Sequence, residues 1–520
     1  MKKTFFYFAL FLPLFSIGQQ HDPYFDKGVE LYGNRDFNGA MDYFTKEIEL
    51  NPNNLEAYNY KGIIKAQQGD YQAAIEVFTK EISINPNVDL AYSNRAYAKL
   101  NKNDFKGAIE DCDRAIALNP KNNLAYTNRG NAKNRLGSFN DAIADFNKIL
   151  ELSPNDASAY TNRGNSKNGL ADFKGGLEDL NKAIELDAKL PEAYFDRGIS
   201  KVGLKDPYGA IDDFGKAIAI NPAFDAAYLY RGEQRREIND YSNALADYNQ
   251  AITINKGSAR AYLQRAQLIA KMGNYGDAGN DFSKAIALDP NDAEAYYYRG
   301  GVKLKLVDND GALADYTKAI SIDPNYAEAY NDRGYLKSSM NNFTGAIDDL
   351  NHAILLAPTF ELAYLNRAAA KLALRQNKEA LSDLNKVIAI NPENSNASYY
   401  RAAIYMEMNN CDAAIADLNK AIVANINLPF AYYMRGCAYA GVKNNTAALA
   451  DLTKAIELNQ SNARAYFIRG RVYSLLNNKA AAKADWSRAV ALGDREAGFF
   501  LKASSAKHTP PATNWVVWKK

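Results

Sequence analysis

The sequence predicts an all-α protein, an α-solenoid made of stacked helix-turn-helix hairpins. Two observations predict this fold. Tyr recurs at intervals of 34 residues over most of the 520-residue chain. Within each interval the apolar residues fall at helical spacing in two blocks, with a short polar break between them. A fixed period with two helices in each unit is typical of a repeat array, in which every hairpin buries its apolar face against its neighbours.

The Tyr column defines about fourteen units of 34 residues, and residues 19–496 form the predicted array. Ala precedes the column position in every unit but the first, and Gly or Ala follows it four residues later. The column reads Tyr24, Tyr58, Tyr92, Tyr126, Tyr160, Tyr194, Tyr228, Tyr262, Tyr296, Tyr330, Tyr364, Ser398, Tyr432 and Tyr466. This regularity leaves no stretch of chain for a separate globular domain.

The third unit shows how the two helices are predicted. Residues 91–99 carry small, aromatic and basic side chains on one face of a first helix, and residues 101–104 form the break. Residues 108–118 repeat the helical pattern. Pro120 then ends the second helix, because Pro cannot donate the hydrogen bond that would continue it. Pro recurs at this place in most units.

These columns together resemble the tetratricopeptide repeat family. The resemblance rests on the period, the aromatic column, the Gly/Ala column, a second small column that includes Ala108, and the Pro column. The family has Trp where this chain has Tyr, and several unit ends lack the Pro. The resemblance implies a right-handed superhelix whose concave surface is lined by first helices and binds a protein or extended peptide.

Residues 1–18 have the layout of a secretory signal peptide. Two lysines precede an apolar run over residues 5–15, and Ser16 and Gly18 place small side chains before a cleavage site predicted after Gly18. The run is too short to span a bilayer, which takes about 20 residues. We therefore expect an exported protein, periplasmic or secreted from a bacterial envelope. An uncleaved interfacial anchor is the alternative.

At the other end, residues 494–502 predict a capping helix and residues 503–520 a tail. A cap is expected because a terminal unit exposes its stacking face. The tail ends in an apolar segment from Trp515 to Trp518. Docking of this segment on a partner or a membrane surface and folding back onto the array both stay open.

Composition and charge argue against several classes of function. Lys+Arg total 62 and Asp+Glu total 60, and removal of the two leader lysines would leave a neutral chain. Phosphate binding needs a basic excess, so we expect no nucleic-acid partner. Three Cys exclude a disulfide framework and a Cys-rich zinc site, although export would permit a disulfide between Cys411 and Cys437. Three His leave little room for His-based catalysis. No nucleotide-binding or hydrolase motif is present, so we predict a non-enzymatic protein without cofactor or metal.

The leading prediction is a scaffold that binds protein or peptide partners in a concave groove, in the assembly or organisation of envelope complexes. A homotypic structural element and a regulatory subunit of an enzyme complex are the alternatives. No later segment predicts a transmembrane span, and the oligomeric state is left open, with a monomer included.

A charge pair is built into the repeat. From the third unit onward Arg stands three residues after the Tyr column, and Asp follows sixteen residues after each Arg. Because the turn lies midway, the two side chains stand at the same height across an antiparallel hairpin. We predict structural, partly buried ion pairs rather than an anion site, among them Arg95–Asp111, Arg129–Asp145 and Arg299–Asp315. A further basic column, that of Lys99, lies four residues after the Arg column. We expect the aliphatic parts of these side chains to pack along the helix and their amines to lie in water.

We expect the residues that select the partner to lie at positions that differ between units and that face the groove. The family resemblance places the columns of Ser93, Asn94 and Tyr97 there. The polar candidates for a peptide-binding groove are Asn94, Asn128, Asn162, Asn131, Asn165, Asn366, Thr127 and Thr161. An Asn side chain carries a donor and an acceptor, so a row of them can hold a peptide backbone. The series resembles in part the peptide-holding Asn row of O-linked N-acetylglucosamine transferase, although no transferase domain follows.

The same variable columns become aromatic towards the C-terminal end. The candidates for aromatic groove anchors are Tyr297, Tyr298, Tyr399, Tyr400 and Tyr433. Large aromatic side chains are frequent hot spots of protein interfaces. Solvated variation among duplicated units is the alternative interpretation of both patches.

Overall fold

The computed structural model describes residues 23–424 and 428–505. Those residues form helices joined by short turns, and no strand occurs among them. They divide into two compact units, of which unit 1 ends at Met272 and unit 2 begins at Gly273. The predicted leader, residues 1–18, and the Trp515–Trp518 segment lie outside the described residues.

Unit 1 is a stack of helical hairpins. Each odd-numbered helix up to α13 packs on the helix that follows it, and successive hairpins pack on one another along the chain. The helices are α1 (Pro23–Gly33), α2 (Phe37–Leu50), α3 (Leu55–Gln67), α4 (Tyr71–Ile84), α5 (Asp89–Asn101), α6 (Phe105–Leu118), α7 (Asn123–Arg135), α8 (Phe139–Leu152), α9 (Ala157–Gly169), α10 (Phe173–Leu186), α11 (Pro191–Gly203), α12 (Pro207–Ile220), α13 (Asp225–Glu237), α14 (Tyr241–Ile254) and α15 (Ala259–Lys271).

Unit 2 continues with the same hairpins, from α17 with α18 to α27 with α28. Its helices are α16 (Tyr275–Leu288), α17 (Ala293–Lys305), α18 (Asn309–Ile322), α19 (Ala327–Ser339), α20 (Phe343–Leu356), α21 (Glu361–Ala373), α22 (Asn377–Ile390), α23 (Ser395–Glu407), α24 (Cys411–Ala424), α25 (Pro429–Gly441), α26 (Asn445–Leu458), α27 (Ala463–Leu475), α28 (Lys479–Ala491) and α29 (Arg495–Ser505). Helix α29 packs on α28 where the sequence predicts a capping helix. The predicted all-α fold of stacked helical hairpins is confirmed.

Two small-residue columns let the helices of a hairpin approach closely. Gly62 of α3 faces Phe78 of α4, and a Cβ built on Gly62 would come within 2.5 Å of the Phe78 ring. Ala74 of the second small column is fully buried. The ring fills the space that the small residues leave, as close packing of a protein interior requires. Packing within each hairpin therefore explains the interior columns of the sequence.

The turn within each hairpin uses one left-handed residue followed by a helix cap. In the third repeat Asn103 has a φ of 64°, and the Asp104 carboxylate accepts a hydrogen bond from the Gly107 amide at 3.0 Å. Asn and Gly adopt this backbone conformation at low cost, and Asp is a favourable N-cap. Val307 occupies the same position before α18 with a φ of 64°. A β-branched residue is strained in that region.

Val307→Gly is therefore expected to raise the stability of the α17–α18 hairpin by about 1 kcal/mol, because Gly removes the left-handed penalty. The Val307 side chain is 80% exposed, so little packing is lost with it. Thermal unfolding of the full chain checks this. Asn103→Gly is the matched control and is expected to gain less, and a lower melting temperature for Val307→Gly would contradict the assigned strain.

The predicted Arg–Asp ion pairs are present in both units. Arg95 Nε and Nη2 donate to the two oxygens of Asp111 at 2.8 and 2.6 Å. The same pairing joins Arg129–Asp145, Arg163–Asp179, Arg197–Asp213, Arg231–Asp247, Arg299–Asp315, Arg333–Asp349, Arg367–Asp383, Arg401–Asp417, Arg435–Asp451 and Arg469–Asp485. The Asp111 side chain is 6% exposed and that of Arg95 15%. The carboxylates are thus nearly buried, while the guanidinium groups keep an edge in water.

The expectation for the Lys99 column is wrong. Lys99 Nζ lies 2.8 Å from Asp111 Oδ2, so this carboxylate binds two cations. A residue four positions after the Arg lies on the same helix face and reaches the same Asp. The second cation recurs as Lys133, Lys167, Lys201, Arg235, Lys303, Lys337 and Lys371. The last three repeats place Tyr405, Tyr439 and Tyr473 there, with their rings close to the Arg guanidinium.

The Arg side chain also links neighbouring repeats. Arg95 Nη1 donates to Thr79 Oγ1 of the preceding hairpin at 3.1 Å. Its guanidinium lies 5.6 Å from the ring centroid of Tyr92, within the range of a cation–π contact. The Tyr column is therefore part of the same structural cluster as the ion pairs. These charges stabilise the stack.

Candidate functional site

Besides the face that packs on the second helices, each first helix has a further face on which most of the candidate groove residues lie. The positions of this face recur at i, i+4 and i+7 and so line one side of each first helix. We call this side the first-helix stripe. In unit 1 it includes Leu90, Asn94, Tyr97, Leu124, Asn128, Asn131, Ser158, Asn162 and Asn165. In unit 2 it includes Glu294, Tyr298, Gly301, Glu328, Asp332, Tyr335, Leu362, Asn366, Ala369, Asn396, Tyr400, Ala403, Phe430, Met434 and Cys437.

In unit 1 the predicted Asn row bridges neighbouring first helices. Asn94 Nδ2 of α5 donates to Asn59 Oδ1 of α3 at 2.8 Å, and Asn128 Nδ2 of α7 donates to the Ser93 carbonyl of α5 at 3.0 Å. Both side chains are fully buried. As a correction to the sequence analysis, these amides lie between helices and not on an open surface, because neighbouring first helices are close enough for one side chain to span them.

Asn131 is also fully buried, and neither polar atom of its side chain has a hydrogen-bond partner among the described residues. Asn94 Oδ1 and Asn128 Oδ1 are buried without a partner as well. Thr161 donates to a carbonyl of its own helix at 2.9 Å, and Asn162 is 8% exposed. An unpaired buried polar atom costs about 1–3 kcal/mol. This part of the stripe therefore holds polar groups whose desolvation is not offset.

Three of the polar candidates are only half-buried. Thr127 donates to a carbonyl of its own helix at 2.9 Å. Asn165 Nδ2 donates to Asp196 Oδ1 of α11 at 2.8 Å, and Asn366 Nδ2 donates to Asn331 Oδ1 of α19 at 3.0 Å. Each of these side chains keeps some contact with solvent. At these positions a partner can reach the side chain, and the peptide-holding role stays a prediction.

The structure brings the aromatic candidates together in pairs. The ring centroids of Tyr297 and Tyr298 are 5.2 Å apart, and those of Tyr399 and Tyr400 are 5.6 Å apart. Tyr298 and Tyr400 keep 38% exposure, whereas Tyr297 and Tyr399 are half-buried. Tyr433 is 6% exposed, and burial raises the pKa of its phenol. As a correction, Tyr433 belongs to the core, and Tyr298 and Tyr400 present their rings outward.

Two exposed aromatic residues of the same stripe are missing from the sequence candidates. Tyr335 of α19 is 53% exposed and Phe430 of α25 is 43% exposed. They stand at the i+7 and i positions of the stripe, whereas the aromatic candidates named from the sequence all come from the i+4 column and the column before it. Reading all three positions of the helical face would have identified both.

Asp332 lies in one hydrogen-bond network with two of the predicted site residues, Tyr297 and Asn366. Tyr297 Oη donates to Asp332 Oδ2 at 2.9 Å, and Asn331 Nδ2 donates to Asp332 Oδ1 at 2.9 Å. Asn366 in turn donates to Asn331. Burial raises the pKa of Asp332, and the two hydrogen bonds oppose this shift. Burial also raises the pKa of the Tyr297 phenol, so Tyr297 is a hydrogen-bond donor at neutral pH.

Within residues 23–424 and 428–505, no group of His, Cys, Asp and Glu is arranged to hold a metal ion. No helix in these ranges is long and apolar enough to cross a membrane. Cys112, Cys411 and Cys437 carry free thiols. Burial raises the pKa of the Cys437 thiol to about 12, so this group stays protonated near neutral pH.

Several family models and solved structures are similar to this chain. Four family models described as tetratricopeptide repeat or TPR repeat match residues 25–89, 90–122, 124–156, 270–307, 308–340, 327–360, 365–429 and 431–462. No protein of curated function matches the sequence. The chain is similar to the crystal structure of the APC/C hetero-tetramer Cut9–Hcn1, with 16% identity, a TM-score of 0.43, and coverage of 92% of this chain and 95% of that one.

Two further solved structures are similar to the chain. Yeast Tom70 has 19% identity and a TM-score of 0.34, over 81% of this chain and 95% of its own. A tetratricopeptide repeat protein from Parabacteroides merdae has 24% identity and a TM-score of 0.36, over 45% of this chain and 93% of its own.

Proposed function

Because the chain belongs to the tetratricopeptide repeat family, we propose that it is an exported, non-enzymatic scaffold that binds a protein or extended peptide along its first-helix stripe. Members of this family are generally interaction scaffolds. The sequence pattern of residues 1–18 supports export, and the bacterial envelope is the proposed place of action. Organisation of envelope complexes is the proposed role.

The observation that carries the proposal is the exposed aromatic side chains of the stripe in unit 2. Tyr298, Tyr335, Tyr400 and Phe430 are between 38% and 53% exposed, although each sits on a helix whose opposite face is fully packed. The interior columns and the ion pairs hold the hairpins together without them. Exposed rings of this kind bury a large apolar area at little entropic cost when a partner covers them, and Tyr is enriched at interface hot spots.

Partner capture tests the proposal. We expect the full chain, immobilised and exposed to envelope extract, to enrich at least one protein that the Tyr400→Ala/Phe430→Ala variant retains about tenfold less, since each hot-spot ring is worth more than about 1 kcal/mol. Tyr208→Ala is the matched control, because Tyr208 is 70% exposed but lies on the second helix α12. Equal enrichment by the wild type and the double variant would refute the stripe as the binding surface.

Expression with the natural N-terminus in a bacterial host tests the export part separately. Recovery of the protein outside the cytoplasm, with an intact mass that lacks residues 1–18, is the expected result. Retention of the full-length chain in the cytoplasm would remove the envelope role and leave the binding proposal in place.

A further inference from the structure

The carboxylate of Asp332 is fixed by three successive first helices. Tyr297 of α17 donates to one carboxylate oxygen and Asn331 of α19 donates to the other, both at 2.9 Å. Asn366 Nδ2 of α21 donates to Asn331 Oδ1 at 3.0 Å and so holds the Asn331 amide in place. The orientation of this carboxylate is therefore set before any partner arrives, which lowers the cost of binding.

No cationic side chain in the described part of the chain pairs with this carboxylate. Among the described residues, neither Asp332 nor Glu328 lies within ion-pair distance of a Lys, Arg or His side chain. The interior carboxylates of the same repeats behave differently, since Asp315 and Asp349 each bind an Arg and a Lys. Burial and the neighbouring charge of Glu328 raise the pKa of Asp332, and a cation beside it would relieve both effects.

Two exposed side chains lie on the same helix face as Asp332. Glu328 lies one turn before it and is exposed, and Tyr335 lies about one turn after it with 53% exposure. Residues at this spacing share one helix face. A carboxylate pair beside an aromatic ring offers ion pairing, hydrogen bonding and a cation–π contact to one cationic group. The chemistry of this surface is complementary to a basic side chain and unfavourable for an acidic one.

We propose that Glu328, Asp332 and Tyr335 form a subsite that binds an Arg or Lys side chain of an extended partner peptide. This inference rests on the proposed function and names the charge of its partner. The subsite lies on the first-helix stripe, in the segment of unit 2 that precedes the neutral and apolar positions of α21, α23 and α25. A bound peptide would therefore place a basic residue at α19 and apolar residues further along the stripe.

The test uses a short fluorescein-labelled peptide of alternating Ser and Arg, with a citrulline version as its neutral isostere, and fluorescence anisotropy with the full chain. We expect the Arg peptide to bind, the citrulline peptide to bind at least tenfold more weakly, and added salt to weaken only the Arg complex. Asp332→Asn and Glu328→Gln should each weaken Arg-peptide binding about fivefold or more. Unchanged affinity in both variants would overturn the subsite.

Asp332→Asn is compatible with the fold, since Asn94, Asn128 and Asn366 occupy the same column in other repeats. Far-UV circular dichroism verifies this. Asp412→Asn, an exposed carboxylate on the second helix α24, controls for a general loss of negative charge and should bind as the wild type does. Equal weakening by Asp412→Asn would also overturn the subsite.

The two proposals fail differently. Suppose that the Tyr400→Ala/Phe430→Ala variant no longer captures the partner, but that Asp332→Asn binds the Arg peptide as tightly as the wild type does. The stripe is then a binding surface, and the proposed subsite for a basic side chain is wrong. If capture is insensitive to the aromatic residues, the proposed function fails whatever the peptide assay shows.

Discussion

Arg401→Ala is expected to destabilise its hairpin by about 3–5 kcal/mol, whereas Arg367→Ala in the preceding repeat is expected to cost only about 1–2 kcal/mol. The difference follows from the second cation. Lys371 lies 2.7 Å from Asp383 and remains when Arg367 is removed. Among the described residues Asp417 pairs with Arg401 alone, because the position that corresponds to Lys371 is Tyr405. Removal of Arg401 therefore leaves a carboxylate buried without a cation.

Hydrogen exchange of backbone amides measures this comparison repeat by repeat, which matters because a stack of repeats can open locally. Protection should fall most in α23 and α24 of Arg401→Ala. Adding Tyr405→Lys to that variant restores the second cation found in earlier repeats and is expected to recover much of the loss. Equal losses in the two single variants, or no rescue by the added lysine, would show that the carboxylate is not orphaned.

The Arg–Asp pairs could be predicted from the sequence because both partners follow the 34-residue period and stand equally far from the turn. The second cation could not be assigned in the same way, although its signal is present. Lys99 precedes Asp111 by twelve residues, and a side chain one turn after Arg95 reaches across the same hairpin. Taken by itself, the Lys99 column shows only a basic side chain on a helix surface, which predicts an amine in water.

The placement of the Asn row could not be predicted because a period gives the face of a helix and not the distance to the next one. Contacts between neighbouring first helices recur at a separation of 35 residues, as in Asn94 with Asn59 and Tyr297 with Asp332. At that separation one side chain spans the gap, so a small polar residue becomes buried. Larger rings such as Tyr400 extend beyond it and stay exposed.

Each of the first two repeats contains a buried glutamate that is not part of the Arg–Asp pattern. Glu47 and Glu81 stand at the place where the third repeat has Ala115, and both are buried. Asn54 donates to Glu47 Oε1 at 2.7 Å. In the next repeat Val88 replaces that Asn, so Glu81 lacks this donor. Among the described residues, Oε2 of Glu81 is buried without a hydrogen-bond partner, as Oε2 of Glu47 is too. Burial raises the pKa of Glu81 to about 8.

The sign of the resulting pH dependence follows from the proton balance. Between about pH 4.5 and pH 8 the folded state keeps the Glu81 proton that the unfolded chain has lost. Raising the pH through this window therefore lowers the free energy of unfolding, by at most about 1.4 kcal/mol per pH unit. The contribution is fully present below pH 4.5 and is lost above about pH 8.

Glu81→Gln is accordingly expected to be more stable than the wild type by a few kcal/mol at pH 8 and close to it near pH 4, because the variant has no proton to lose. Val88→Asn is expected to act in the same direction by supplying the donor that Asn54 supplies to Glu47. Calorimetric unfolding from pH 4 to pH 9 measures both, and Glu76→Gln, an exposed residue of the same helix α4, is the control. Parallel pH profiles for the wild type and Glu81→Gln would contradict this prediction, because they would mean that the Glu81 carboxyl group is in contact with water when it ionises. Val88→Asn would then have no buried carboxylate to which it could donate a hydrogen bond.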